Sequence, residues 1–252
     1  MIETWKIPAL FATGVVAGFV DSIAGGGGLI TLPVMLSLLP DPQLALGTNK
    51  LQATFGSASA AGHYAHAGAV ELFDCVRGCA LTFVGAALGT LAVRSVGAQF
   101  LKVAVPLLLL AVAIYMLRRP ELGRQEREPK MTRLCFDVLF GLILGFYDGF
   151  FGPGTGTFWT MAFVLCLGFN LTRATGYTKA VNFASNVCSL LIFLIAGKVD
   201  FVAGGSMGLG QLIGARFGSR MVLRGGTKFI RPVFISVVLA LTAKLLYDAF
   251  VK

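Results

Sequence analysis

The residues best equipped for chemistry in this chain are two aspartates, two lysines and two glycine runs, and they occur in matched order. Asp21 precedes Gly25, Gly26, Gly27 and Gly28 in "DSIAGGGGLITLP", and Asp148 precedes Gly152, Gly154, Thr155, Gly156 and Thr157 in "DGFFGPGTGTFWT". Lys50 follows in "GTNKLQ" with Asn49 and Gln52, and Lys179 in "GYTKAVNFASN" with Asn182 and Asn186. Glycine costs about 1 kcal/mol against alanine inside a helix and takes positive φ freely, so each run predicts a helix break. At the start of the helix that follows, backbone N–H groups without Cβ atoms in the way favour an anion. A lysine adds a point charge with three donors, and threonines add hydroxyls. The chemistry this set supports is non-covalent capture of an oxyanion.

Other roles stay open for the same residues. An ionised aspartate in an apolar segment needs a cation, a proton or backbone donors. Asp21 and Asp148 therefore read either as carriers of a coupling proton or as caps of the unwound turns. His63 is a third proton-coupling candidate, set against a hydrogen-bonded structural role. Lys50 and Lys179 are expected within about one turn of a segment start, where a lysine can also snorkel to the interface. The five cysteines read as small packing residues, including the i,i+4 pair Cys75 and Cys79. No metal-ligand spacing, Walker A sequence or nucleophile elbow is present, so no metal, cofactor, ATP drive or enzyme chemistry is expected.

The elements that must position these groups are membrane helices. Of 252 residues, 56% are hydrophobic and 13% charged, and mean hydropathy is +0.80, too apolar for the surface of a soluble domain. Apolar runs fall at 7–23, 29–39, 47–67, 72–93 and 100–117, and again at 134–151, 157–169, 175–196, 201–222 and 229–251. The run after each glycine break, such as Leu29 to Leu39, covers about half a bilayer at helical rise. The amino-terminal run lacks a cleavage-site pattern and is expected to be retained as a helix.

These runs are two copies of one unit. "GVVAGFVDSIAGGGG" lies on "GLILGFYDGFFGPGTG" at an offset of 127, matching Asp21 to Asp148. Further on the offset is 129, matching Lys50 to Lys179, Gly68 to Gly197 and Gly85 to Gly214. Residues 1–117 form the first transmembrane repeat, 118–133 a basic linker and 134–252 the second repeat. The arginines and lysines of the linker, and those from Arg216 to Arg231, place both segments in the cytoplasm by the positive-inside rule. The net charge of +9 thus reads as topology signal, and no nucleic-acid partner is expected. Five segments per copy invert the second copy and put both termini outside the cytoplasm. In inverted copies the two half-helices converge on one midplane site. The fold expected is an all-α polytopic membrane protein of two inverted repeats, each of about five helical segments including a half-helix.

The paired motifs, "GGGGLITLP" with "GTNKLQATFGS" and "FFGPGTGTFW" with "TGYTKAVNFASN", resemble the TauE/SafE sulfite exporter family over essentially the whole chain. The resemblance implies transport of a small sulfur-containing anion, such as sulfite or an organosulfonate, across the cell's inner membrane. The expectation is therefore a multi-pass, secondary exporter with the bilayer and a small anion as partners, proton coupling as an option, and homo-oligomerisation left open. A passive anion channel and a non-transporting membrane scaffold subunit are the competing readings.

Overall fold

The structure is a computed structural model, and it describes residues 4–39, 41–93, 110, 114, 115, 117, 118 and 123–251. After a 3₁₀ turn at Thr4–Lys6 come α1 (Ile7–Ala24), α2 (Gly27–Leu38), α3 (Pro42–His66), α4 (Leu72–Ala92), α5 (Arg133–Phe150), α6 (Thr155–Cys166), α7 (Leu171–Ile195) and α8 (Phe201–Val251). No strand occurs among the described residues. The expected fifth segment, 100–117, lies mostly outside the described residues. The last two expected segments are two helices that follow each other across a kink at Gly226, with φ 55° and ψ −154°, and are numbered together as α8.

Both glycine runs break the chain as their composition requires. Gly25 ends α1 at φ 75°, and Gly152 and Gly154 precede α6 at φ 88° and 85°, a region closed to most residues with a Cβ. Each short helix then turns back along the long one before it. Met35 and Leu39 reach the cluster of Leu10 near the start of α1. In the second copy Phe158 meets Tyr147 and Phe163 meets Phe136, with ring centroids 5.6 and 4.9 Å apart.

α3 and α7 begin about five residues earlier than expected, and their caps explain why. The Asp41 carboxylate accepts the N–H of Gln43 at 2.9 Å with Pro42 in the first turn, and Asn170 Oδ1 accepts that of Arg173 at 2.9 Å. Asp41 and Asn170 are matched by the 129-residue offset, and each supplies a side-chain acceptor to a helix start. A hydrogen bond from Lys198 holds the Asp41 carboxyl below its ordinary pKa.

The copies exchange partners. Gly14 and Gly18 of α1 press on Met207 and Gln211 of α8, while Gly85 and Gly89 of α4 press on Leu142 and Phe146 of α5. The contacts map onto each other through the offsets: Gly214 on Val15 corresponds to Gly85 on Leu142, and Gly218 on Phe19 to Gly89 on Phe146. The first helix of each copy therefore packs against the fourth helix of the other, a reciprocity typical of two-fold relations. Small residues allow this approach of backbones. A Cβ on Gly89 would overlap the Phe146 carbonyl, so Gly89→Val is expected to cost the protein most of its monodisperse fraction, read by size exclusion in detergent.

The solvent-style pattern of burial is reversed. Phe73, Ile195, Phe201 and Phe217 are exposed, whereas Lys50, Gln52, Thr178 and Lys179 are buried. Among the described residues, Ile7–Ala24, Phe73–Ala92 and Leu171–Ile195 are long and apolar enough to span a membrane. Polar side chains turned inward lower the hydropathy of α3, and Arg133, Asp137 and Asp148 add charge to α5. Asp137 is clamped between α4 and α5 by Arg77 at 2.8 Å and Arg133 at 3.0 Å.

Candidate functional site

The two glycine breaks meet in the interior. A Cβ on Gly156 would lie 2.5 Å from Gly25 Cα, and one on Gly25 would overlap the Gly156 backbone. Thr157 donates to the Ala24 carbonyl at 2.8 Å, tying α6 to the end of α1. Two turns separated by about half the chain thus form one junction, from which α2 and α6 start. Their first-turn N–H groups lack intrahelical acceptors, and the dipole ends there are positive.

A cavity of about 40 Å³ sits at this junction. It is lined by Asp21, Gly25, Gly28, Asn49 and Lys50 from the first copy and by Asp148, Gly154, Thr155, Gly156, Asn182 and Asn186 from the second. Ala53, Gly152 and Gln211 complete the lining. The Asn182 Oδ1 and Gln211 Oε1 atoms are buried and, among the described residues, accept no hydrogen bond. Buried polar atoms normally find partners, so two unspent amides at one cavity mark hydrogen-bonding capacity open to a ligand. Which end of each amide faces the cavity is interchangeable by a flip, so the capacity includes donors as well as acceptors.

Two ion pairs cross between the copies. Lys50 Nζ donates to Asp148 Oδ1 at 2.9 Å, to the Asp148 carbonyl at 2.7 Å and to Asn186 Oδ1 at 3.4 Å. Lys179 Nζ donates to Asp21 Oδ2 at 2.8 Å. Asp21 and Asp148 are offset equivalents, as are Lys50 and Lys179, so the pairs are images of each other. Each aspartate also braces its own break. Asp21 Oδ1 accepts the Gly27 N–H at 3.0 Å, and Asp148 accepts from Thr155 Oγ1 at 3.3 Å and from Ser185 Oγ. The cap and the cation partner are therefore features of the same carboxylate.

The lysines lie deeper than the expected segment starts put them. With α3 beginning at Pro42 and α7 at Leu171, each lysine is eight residues, or about 12 Å, into its helix. Lys50 is 4% exposed and Lys179 0%, so neither side chain reaches the protein surface.

Several expected residues support the cavity without lining it. Gln52 donates to Asn49 Oδ1 at 2.8 Å and to Thr31 Oγ1 at 3.0 Å, fixing the Asn49 amide. Gly26 is the N-cap of α2, and Gly27 packs on Asp21. Thr157 spends its hydroxyl on Ala24, and Lys179 reaches the cavity through Asp21. His63 is not brought to this cluster; its Nδ1 lies 2.7 Å from Ser219 Oγ on α8. Two lining residues are missing from the sequence reading, Ala53 and Gln211, and of these Gln211 has a polar side chain. Its signal was a lone amide in "SMGLGQLIG" whose offset partner, Thr82, is also polar.

Residues 10–245 match the family model "Sulfite exporter TauE/SafE". The chain is 44% identical over 249 residues to the probable membrane transporter protein YfcA of Escherichia coli K12, covering 99% of this chain and 93% of that one. It is 44% identical over 239 residues to a probable membrane transporter protein of Haemophilus influenzae, covering 95% and 94%. A Bacillus subtilis relative, the probable membrane transporter protein YjnA, is 23% identical over 256 residues, covering 94% and 99%. No solved structure matches the chain. The apolar exterior, the polar interior and these matches agree, and the chain belongs to the TauE/SafE sulfite exporter family of membrane transporters.

Proposed function

We propose that this transporter is a secondary exporter of a small sulfur-containing anion, binding it at mid-depth in the inner membrane where the two glycine breaks meet. The observation that carries the reading is the junction of Gly25 with Gly156 beside a cavity lined by both copies. Two helix amino termini, Lys50 and two unspent amides surround it, with Lys179 behind Asp21, a set suited to an oxyanion. The cavity exceeds the space one water needs by about threefold, which suits a compact ion such as sulfite better than an extended organosulfonate. Its small size supports a carrier over an open channel.

The copies are proposed to be inverted, with the linker cytoplasmic. Three contacts support this. α2 doubles back along α1, α3 runs beside α1 with Tyr64 donating to the Ser22 carbonyl at 2.9 Å, and α4 returns after the short turn at Gly68. α5 then runs the same way as α4, since Gly85 meets Leu142 and Gly89 meets Phe146. α1 and its equivalent α5 therefore point in opposite directions. Alternating access then follows from rocking one copy on the other about a fixed site.

The test is counterflow in proteoliposomes with labelled sulfite, sulfate, taurine, sulfoacetate and lactate, at two pH gradients. Sulfite is expected to exchange fastest and lactate slowest, with flux responding to the gradient. Exchange of none of the five would overturn the carrier reading and favour the scaffold alternative.

A further inference from the structure

We propose that Asp21, and not Asp148, carries the proton that balances the charge of the substrate; the inference rests on the anion-carrier reading above. The two crossed ion pairs sum to zero charge. An anion entering this buried junction adds a charge that nothing in it offsets, and uncompensated charge inside a protein is strongly disfavoured. Neutrality returns if the anion takes one lysine from its aspartate while that carboxylate accepts a proton from water on the side to which the cavity opens. The pair begins as carboxylate and ammonium and ends as carboxylic acid with an ammonium bound to the anion. The pair alone goes from zero to one positive charge, the bound anion returns the sum to zero, and proton and anion leave together on the far side.

The pairs are images in sequence but not in bonding. Asp148 has a side chain 7% exposed and is held by Lys50, Thr155 and Ser185, while Lys50 also binds the Asp148 carbonyl. Displacing it breaks three side-chain hydrogen bonds at one carboxylate, and Lys50 stays held in place by the Asp148 carbonyl and Asn186. Asp21 is 19% exposed and holds Lys179 and the Gly27 N–H, and Asp21 is the acceptor Lys179 has among the described residues. An oxyanion can take over both donors directly, because the Asp21 carboxylate already accepts from both at the start of α2. The other groups facing Asp21 are consistent with this. α3 presents Lys50, spent on Asp148, and Tyr64, whose hydroxyl donates to Ser22; α5 presents Asp148, and α8 presents the neutral Gln211.

The experiment is anion binding to the purified full chain in detergent between pH 5.5 and 8.5, with methanesulfonate and sulfate as probes because neither changes charge in that range. Proton uptake is followed with an indicator dye. Wild type is expected to take up one proton per methanesulfonate, and its affinity to weaken about tenfold per pH unit where Asp21 is ionised. Asp21→Asn is expected to bind more tightly at pH 8.5, with a flat pH profile and no proton uptake. Lys50→Met with Asp148→Asn, which removes the other pair and leaves the charge sum at zero, is expected to keep the proton uptake with weaker binding; should it fail to fold, the mirror change Asp21→Asn with Lys179→Met, also neutral, decides and is expected to take up no proton. Proton uptake retained by that mirror variant or by Asp21→Asn, or uptake lost from Lys50→Met with Asp148→Asn while binding is retained, overturns the assignment. Binding of neither anion by wild type overturns the anion-carrier reading instead.

Discussion

Lys50→Met is expected to destabilise the protein by about 3–5 kcal/mol, because removing one member of a buried pair leaves the other charged and uncompensated. Asp148 would keep the hydroxyls of Thr155 and Ser185 but lose the ammonium that reaches both its carboxylate and its carbonyl. For a chain of this length the midpoint of thermal unfolding should fall by on the order of 10 °C, and anion flux should vanish. The double change Lys50→Met with Asp148→Asn separates the two effects. It removes the stranded charge, so most of the stability is expected to return while flux does not. Lys179→Met should cost less, about 1.5–3 kcal/mol for a hydrogen bond to a charged group, since Asp21 keeps the Gly27 N–H and is partly exposed. Thermal unfolding by intrinsic fluorescence, run beside liposome flux, checks all three; wild-type stability and flux in Lys50→Met would remove the pair from both roles.

Gly28→Val should abolish flux with the fold intact. Gly28 lines the cavity, and an added Cβ would find its nearest neighbour, Pro153 Cα, at 3.9 Å. The side chain has room, but the room is the cavity, which is only about 40 Å³. The other glycines of the breaks are less informative. At Gly27 a Cβ would lie 2.6 Å from the Asp21 Cβ, and Gly25 and Gly154 sit at φ 75° and 85°, so their substitution also strains the backbone. A Gly28→Val protein that elutes normally and still exchanges sulfite would take the substrate path away from the amino terminus of α2.

Much of this arrangement was legible in sequence because membrane helices and glycine breaks are local properties. Gly25 through Gly28 and Gly152 through Gly156 broke the helices where their composition demanded, and the two copies announced themselves through the spacing of Asp21, Lys50 and their equivalents. The starts of α3 and α7 were misplaced because a cap is a single polar contact, at Asp41 and Asn170, ahead of any apolar periodicity. That shift is what made two buried lysines look interfacial. Gln211 was missed because one amide in a glycine-rich helix has no local pattern to betray it.

The sequence by itself determined that the chain fills a membrane with helices and that its motifs recur at a fixed offset, and it supplied the residues proposed to meet an oxyanion. Hydropathy, helix propensity and internal repetition depend on residues a few positions apart or on identity at a fixed offset. Only the tertiary structure decided the pairing: Lys50 with Asp148 and Lys179 with Asp21, each across the copies. It also decided that Gly25 lies against Gly156. These contacts join residues about 100 to 160 positions apart. Their partners are chosen by close packing of α1 on α8 and of α4 on α5, where glycines let backbones touch, and such packing leaves no trace in either strand of sequence read alone.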